Sequence, residues 1–363
     1  MRPVLLFTAL PLAAAAAPEF DDVSAVLAGI LGERDGVPAL AAAAVHKGEL
    51  VAAGASGLRK IGRPEQVTLA DRFHLGSCTK SMTATLAAIL VREGAITWET
   101  GPEDVLERVD LHPKFAGVTL EQLLSNTGGG PKRPPAGLWR QAWEGRGAPQ
   151  RQRLEFARGI LQAPPAYAPG EGYAYSNAGF AIAGAMLEAA AGDPYEDLLA
   201  EKLFKPLGMT SAGFRAPGKN GMVAQPFGHN PGPVDPEPRG DNPRAIAPAG
   251  AVHCTVTDWA KYAALHLGHG PPGLLDRQER SFLHKPRGNK DAYALGWVPA
   301  RKDWAGGPCL WHNGSNTMWY AWIWLAPERE FAAMAVTNIG RKTGEPAVED
   351  ALDALIDRYL PKN

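Results

Sequence analysis

The 363-residue chain predicts an α/β (α+β) protein: an antiparallel sheet built from both chain ends and flanked by helices, with a mostly helical lobe inserted between them. Three observations carry that prediction. Near the start, two short runs of small apolar residues, Pro38 to Val45 and Leu50 to Gly57, flank His46-Lys47-Gly48-Glu49, the composition of a tight hairpin. Near the end, Leu310-Trp311-His312, Met318 to Leu325 and Phe331 to Thr337 are aromatic- and aliphatic-rich, and Pro327-Glu328-Arg329-Glu330 makes a turn between the last two. Between these groups, apolar residues recur at helical spacing in segments broken by Pro and Gly. The implied division is residues 18–75 with 291–363 as the sheet lobe and 76–290 as the helical lobe, with a cleft at the seam.

Taken in order, Met1-Arg2-Pro3, the apolar run Val4 to Leu12 and Ala13 to Ala17 read as a secretory signal at residues 1–17. The apolar run is too short to span a bilayer, and no Cys at the cleavage point offers a lipid anchor. Phe20 to Gly32 carries Val23, Val26, Leu27 and Leu31 on one helical stripe. After the hairpin, Phe73-His74-Leu75-Gly76 leads into an apolar helix that runs to about Arg92 and stops at Gly94. Helices are expected from Trp98 to Leu106 and from Thr119 to Leu124, where Thr119 and Gln122 have capping-box spacing. Thr127 to Gly130 is a loop. Lys132 to Arg158 holds seven basic and two acidic residues with Trp139 and Trp143, and reads as a solvated surface rather than a lid. Tyr173-Ala174-Tyr175-Ser176-Asn177 opens another apolar helix, Ala178 to Ala191. Pro226 to Pro248 is loop by composition, Asp258 to Leu267 is helical, and Val348, Leu352, Leu355, Ile356 and Tyr359 form the stripe of a closing helix.

Composition excludes some partners. A formal net charge of −1 gives nothing to draw the chain to nucleic acid or an anionic surface, and 45% hydrophobic content supplies a full core. The signal implies an exported protein, periplasmic or secreted, with no stable membrane anchor. Its three cysteines, Cys78, Cys254 and Cys309, are too few for a disulfide framework; at most Cys254 and Cys309 pair, and the sequence leaves that open. No cofactor or metal is implied. His266 and His269 lack a further ligand at metal spacing, and Gly128 to Gly130 lacks the Lys-Ser or Lys-Thr ending of a phosphate loop.

The chemistry gathers at Ser77-Cys78-Thr79-Lys80. Residues three apart on a helix share a face, so Ser77 Oγ and Lys80 Nζ can meet while Cys78 points elsewhere. The helix N-terminus favours an alkoxide on Ser77 and disfavours an ammonium on Lys80. Bringing a lysine from ~10.4 to near ~7 requires roughly 5 kcal/mol, and a helix end supplies at most about 2 kcal/mol. Burial or a neighbouring positive charge must supply the rest. Ser77 is the one Ser with Lys three positions on, and Tyr175 the one Tyr with Asn two positions on. The plainer readings are a Ser77 helix cap with a solvated lysine, a Tyr175 packed at a helix start and an Asn177 cap.

The order Ser77-x-x-Lys80, Tyr175-x-Asn177, His312-Asn313-Gly314 resembles the serine beta-lactamase and penicillin-binding-protein superfamily. Its class C branch, with DD-carboxypeptidase, D-aminopeptidase and carboxylesterase relatives, fits best. Leu123 to Gly128, Pro169-Gly170, Pro206 to Met209, Pro248-Ala249-Gly250 and Leu295-Gly296-Trp297 resemble recurring landmarks of that family, in its order, so the likeness runs from about Val37 to the end. The third element is degenerate here, and Lys342-Thr343-Gly344 even spells the beta-lactamase form. The family places two strands and a helix after it, however, and only His312 to Gly314 has that sequel.

The resemblance implies a beta-lactamase/transpeptidase-like fold and an acyl-enzyme mechanism. Ser77 would be acylated, Lys80 and Tyr175 would share the proton transfers, and either is open as the base. The N–H groups of Ser77 and Ser315 would form the oxyanion hole. Asn177, His312, Asn313 and Gly314 would bind substrate. His312 in place of the lysine of typical class C enzymes weakens the carboxylate anchor, which favours a D-amino-acid peptide or small ester over a beta-lactam. The alternatives are a true beta-lactamase and a catalytically idle module that binds cell-wall peptides.

Overall fold

The computed structural model describes residues 20–288 and 293–360, so the signal segment read at residues 1–17 lies outside the described residues. The start of the chain supplies strands β1 (Asp21–Asp22), β2 (Ala39–His46) and β3 (Glu49–Gly57). Short strands β4 (Phe73–His74), β5 (Gly213–Phe214), β6 (Gly228–His229), β7 (Pro233–Val234) and β8 (Val252–Cys254) follow among the helices. The end supplies β9 (Val298–Lys302), β10 (Gly307–Gly314), β11 (Tyr320–Ala326) and β12 (Phe331–Thr337). The main sheet runs β1-β3-β2-β12-β11-β10-β9, so the two chain ends join where β2 pairs with β12, from Leu40 opposite Thr337 to His46 opposite Phe331. Every pairing in it is antiparallel except that of β1 with β3, in accord with the fold class expected.

Strand β2 shows why the sheet sits in the middle. Ala39, Ala41, Ala43 and Val45 face one core, while Leu40, Ala42 and Ala44 face the other. A strand buried on both faces has no need of polar alternation, and its alanines let helices seat close on either side. Helices Ser24–Glu33 and Arg341–Tyr359 cover one face. Helix Val256–Leu267 packs on the other, in one core with helix Thr79–Arg92. No helix among the described residues is long and apolar enough to cross a membrane.

Several expectations change in detail. Edge strand β9 was not expected; it carries Pro299 and the charges Arg301 and Lys302, which suit a sheet edge and mask a strand pattern. The helix expected from Trp98 to Leu106 shrinks to Pro102–Val105, because Thr97 and Thr100 close a turn on themselves and Pro102 then starts the helix afresh. The basic stretch is mainly solvated helix, Ala136–Glu144 and Pro149–Gln162, yet Arg153 is fully buried and paired with Glu188 and Glu196. The capping box at Thr119 and Gln122 forms as read, with both reciprocal bonds present. Cys78, Cys254 and Cys309 are all free; Cys254 and Cys309 belong to cores on opposite faces of the sheet, which precludes the pairing left open above.

Candidate active site

The chain leaves β4, passes Leu75 and bends at Gly76, whose φ of +51 lies in the left-handed region. A single 3-10 turn, Gly76–Cys78, then feeds helix Thr79–Arg92. Cys78 occupies the cap position and no side chain caps this end, so Ser77 is not a helix cap. Residues Thr79 to Leu90 are all buried, and the helix hydroxyls find internal partners: Thr83 bonds Tyr195 Oη and Pro248 O, each at 2.7 Å. Ser77 alone at this end is half-buried.

Lys80 is 0% exposed, and its Nζ lies 2.7 Å from Ala249 O, 2.8 Å from Asn177 Oδ1 and 3.1 Å from Ser77 Oγ. Burial pushes its pKa well below the usual lysine value. Two of the three bonds have a forced direction. The carbonyl of Ala249 and the amide oxygen of Asn177 can only accept, so Nζ donates to both. Burial favours the neutral amine, and in that form the remaining position on Nζ is a lone pair that can take the Ser77 proton. Burial is therefore what supplies the part of the lysine shift that a helix end cannot.

Tyr175 completes the group: its hydroxyl lies near enough to Ser77 for the two to interact, and the Lys80 amine stands 4.7 Å from its ring centre. Burial raises the phenol above its ordinary value, outweighing the influence of Ser77, so it remains protonated. The arrangement therefore allows Lys80 to act as the base, with Tyr175 as a neutral proton donor and acceptor. Asn177 begins helix Asn177–Ala191, whose cap is Ser176, bonded to Gly179 N at 3.1 Å, so Asn177 is free to hold Lys80. Cys78 is buried with its thiol pKa raised, and serves as no nucleophile.

The end of β10 lies against the Ser77 turn. A Cβ on Gly314 would stand 2.4 Å from Ser77 N, and one on Gly76 would stand 2.4 Å from Ser315 N, so only two glycines allow this approach. It brings the N–H groups of Ser77 and Ser315 side by side, and neither has an acceptor among the described residues.

His312 is 2% exposed, and its Nδ1 lies 2.6 Å from Asn313 O while its Nε2 lies 2.8 Å from Tyr293 Oη. A carbonyl must accept, so Nδ1 carries the proton and Tyr293 donates to Nε2. Burial lowers the His312 pKa to about 3, leaving the ring neutral. Asn313 is a correction: strand alternation turns its side chain to the opposite face, where Nδ2 bonds Tyr320 Oη at 3.0 Å. Lys342-Thr343-Gly344 sits in the first turn of the closing helix with Lys342 exposed, apart from this group. Sequence reasoning missed Tyr293, which packs edge-on to both Tyr175 and His312. Its one signal is its place just before the landmark Leu295-Gly296-Trp297.

A serine beside a buried amine, under two free N–H groups at the end of β10, is the arrangement of a serine hydrolase. Known proteins agree. The profile of the family described as Beta-lactamase matches residues 24–358, and the chain belongs to that family. It is 30% identical over 314 residues to "Penicillin-binding protein 4" of Amycolatopsis lactamdurans, covering 80% of this chain and 78% of that protein. It is 29% identical over 296 residues to "Unguisins hydrolase ungD'" of Aspergillus campestris, covering 75% of this chain but only 53% of that one. With "Esterase EstB" of Burkholderia gladioli it shares 33% identity over 214 residues, 53% of this chain and 50% of the esterase. The chain thus spans about half the length of two of these three relatives. Among solved structures, SurE with D-Leu aligns with TM-score 0.72 and 25% identity over 93% of this chain and 74% of that chain.

Proposed function

We propose that the protein is an exported hydrolase that cleaves an amide or ester through an acyl-enzyme on Ser77, its substrate a D-amino-acid peptide or small ester. The observation that carries this reading is the fully buried Lys80 amine 3.1 Å from Ser77 Oγ, where burial favours its neutral form. As Oγ attacks the carbonyl carbon, its proton passes to Lys80 Nζ, and the negative charge forming on the carbonyl oxygen is met by the N–H groups of Ser77 and Ser315. When the intermediate collapses, the bond to the leaving nitrogen or oxygen breaks and Lys80 returns the proton to it through the Tyr175 hydroxyl. Water then attacks the acyl ester, gives up a proton by the same route in reverse, and releases the carboxylic acid from Ser77.

The neutral His312 guides the choice of substrate. Position 312 offers no cation to a substrate carboxylate, which speaks for a peptide or ester over a penicillin-like acid. The names of relatives, a penicillin-binding protein, a hydrolase and an esterase, and of a similar structure holding D-Leu, support the same range. Mass spectrometry after treatment with a fluorophosphonate should show one adduct, on the peptide containing Ser77. A protein that takes no adduct from any acylating probe is a binding module. In a substrate panel, p-nitrophenyl esters or D-alanyl peptides should turn over faster than a chromogenic cephalosporin; the opposite ranking makes it a beta-lactamase.

The same probe tests the third element. His312→Ala strips Tyr293 Oη of its acceptor beside the oxyanion strand, and acylation should slow roughly ten- to hundredfold through lost positioning. Lys342→Ala, on an exposed helix turn, should label at the rate of the native chain. Reversed results would move the third element to Lys342.

A further inference from the structure

Behind the Ser77 turn lies a buried polar chain that takes no part in the steps above. His74, the last residue of β4, is 0% exposed, and its Nδ1 accepts the N–H of Gly76 at 3.1 Å. The ring proton of a neutral His74 is therefore on Nε2, which stands 2.8 Å from Asp241 Oδ1. That N–H is turned off the line of a directed hydrogen bond, so the contact is electrostatic. Asp241 is 2% exposed, and its Oδ1 also receives the N–H of Asn242 at 2.6 Å and Nδ2 of Asn316 at 3.2 Å. Asn316, 4% exposed, is the residue after Ser315, and its Oδ1 takes the N–H of Met318 at 3.2 Å.

We infer that Asp241, through His74 on one side and Asn316 on the other, is a positioning residue that holds the two oxyanion N–H groups in register. The chain leads from Asp241 to both backbone segments that meet at the oxyanion pair. His74 holds the N–H of Gly76, the residue whose left-handed bend aims Ser77 N, and Asn316 ties down the turn that carries Ser315 N. Desolvating an aspartate costs several kcal/mol, so a carboxylate buried among a histidine and two asparagines is expensive to retain unless it holds something in place. Its Oδ2 has no partner among the described residues, so all its hydrogen-bonding falls on the oxygen that makes the bridge. No substrate contact is assigned to these three residues; they act on the N–H groups through the backbone.

This inference rests on the acyl-enzyme reading of Ser77, and the test separates the two. Labelling by a fluorophosphonate is followed against probe concentration, because its phosphonyl oxygen takes the oxyanion position as Ser77 adds and fluoride leaves. Folded His74→Ala is expected to lower the maximal labelling rate roughly ten- to hundredfold with the half-saturating probe concentration unchanged. His74→Asn, whose amide oxygen can replace Nδ1 as acceptor for Gly76, should return to within about threefold of the native rate, a rescue that loss of bulk alone does not give. Asp241→Asn keeps the shape and removes the charge, and should slow labelling in the same way; it decides the matter if His74→Ala does not fold. Native labelling rates in the folded variants, or a His74→Asn as slow as His74→Ala, overturn the inference and leave the hydrolase reading intact. A native protein that takes no label on Ser77 overturns both.

Discussion

Lys80→Met should reduce acylation at Ser77 by at least about a thousandfold, close to the level left in Ser77→Ala. Methionine fills nearly the same buried volume, so the helix keeps its packing, but it has no lone pair to receive the Ser77 proton. Tyr175 cannot take over, because burial holds it protonated. General-base help is worth about a hundred- to ten-thousandfold, and the Lys80 amine also orients Asn177 and Ser77, so the upper part of that range applies. A fluorophosphonate time course on folded protein measures it, and a Lys80→Met rate within tenfold of native would assign the base elsewhere.

The same substitution has a stability signature with a defined sign. Burial lowers the pKa of Lys80 in the folded state, so the unfolded chain, with its ordinary lysine near ~10.4, binds the extra proton between the two values. Stability from this group therefore rises with pH across that window, by at most about 1.4 kcal/mol per pH unit, and levels off above the unfolded value. Denaturant unfolding of native and Lys80→Met proteins from pH 7 to 10.5 should show the difference moving toward the native protein as pH rises. A flat difference would mean that Lys80 is charged in the folded protein.

What was legible in the sequence was local. The hairpin announced itself because small apolar runs flank a turn at Lys47 and Gly48, and the closing strands because aromatic runs are separated by Pro327 to Glu330. Ser77 and Lys80 were legible because three residues is one helical turn, and Tyr175 and Asn177 because they open a helix. Illegible features depend on partners far along the chain. Nothing near His74 points to Asp241, nothing near Tyr293 points to His312, and the buried Arg153 sits in a stretch whose charge reads as solvated. Asn313 is a different case. The alternation of β10 already turns it away from His312 and Gly314, and the motif likeness overrode that period. Strand β9 was hidden by the proline and charges that protect a sheet edge.

Gly314→Ala is expected to impair acylation about a hundredfold or more, because its added methyl group falls between two backbones that cannot both stay. It would stand 2.0 Å from Leu75 O and 2.4 Å from Ser77 N, and neither atom belongs to a side chain that can rotate aside. Strand β10 is held on one side by its ladder to β11, from Leu310 opposite Leu325 to Gly314 opposite Ala321. On the other side, the Ser77 turn is fixed by Leu75 N to Val252 O at 2.9 Å. The separation therefore opens at the meeting of the Ser77 and Ser315 N–H groups, and loss of one such donor costs roughly a hundred- to thousandfold. Gly137→Ala provides the contrast: a Cβ there meets nothing within 4 Å, on a helix where alanine is the better residue, so its labelling rate should equal the native one. Thermal melts with fluorophosphonate labelling separate lost fold from lost geometry. A Gly314→Ala protein that melts like the native chain and labels as fast would show that the strand and the nucleophile turn are not in the contact on which the oxyanion pair depends.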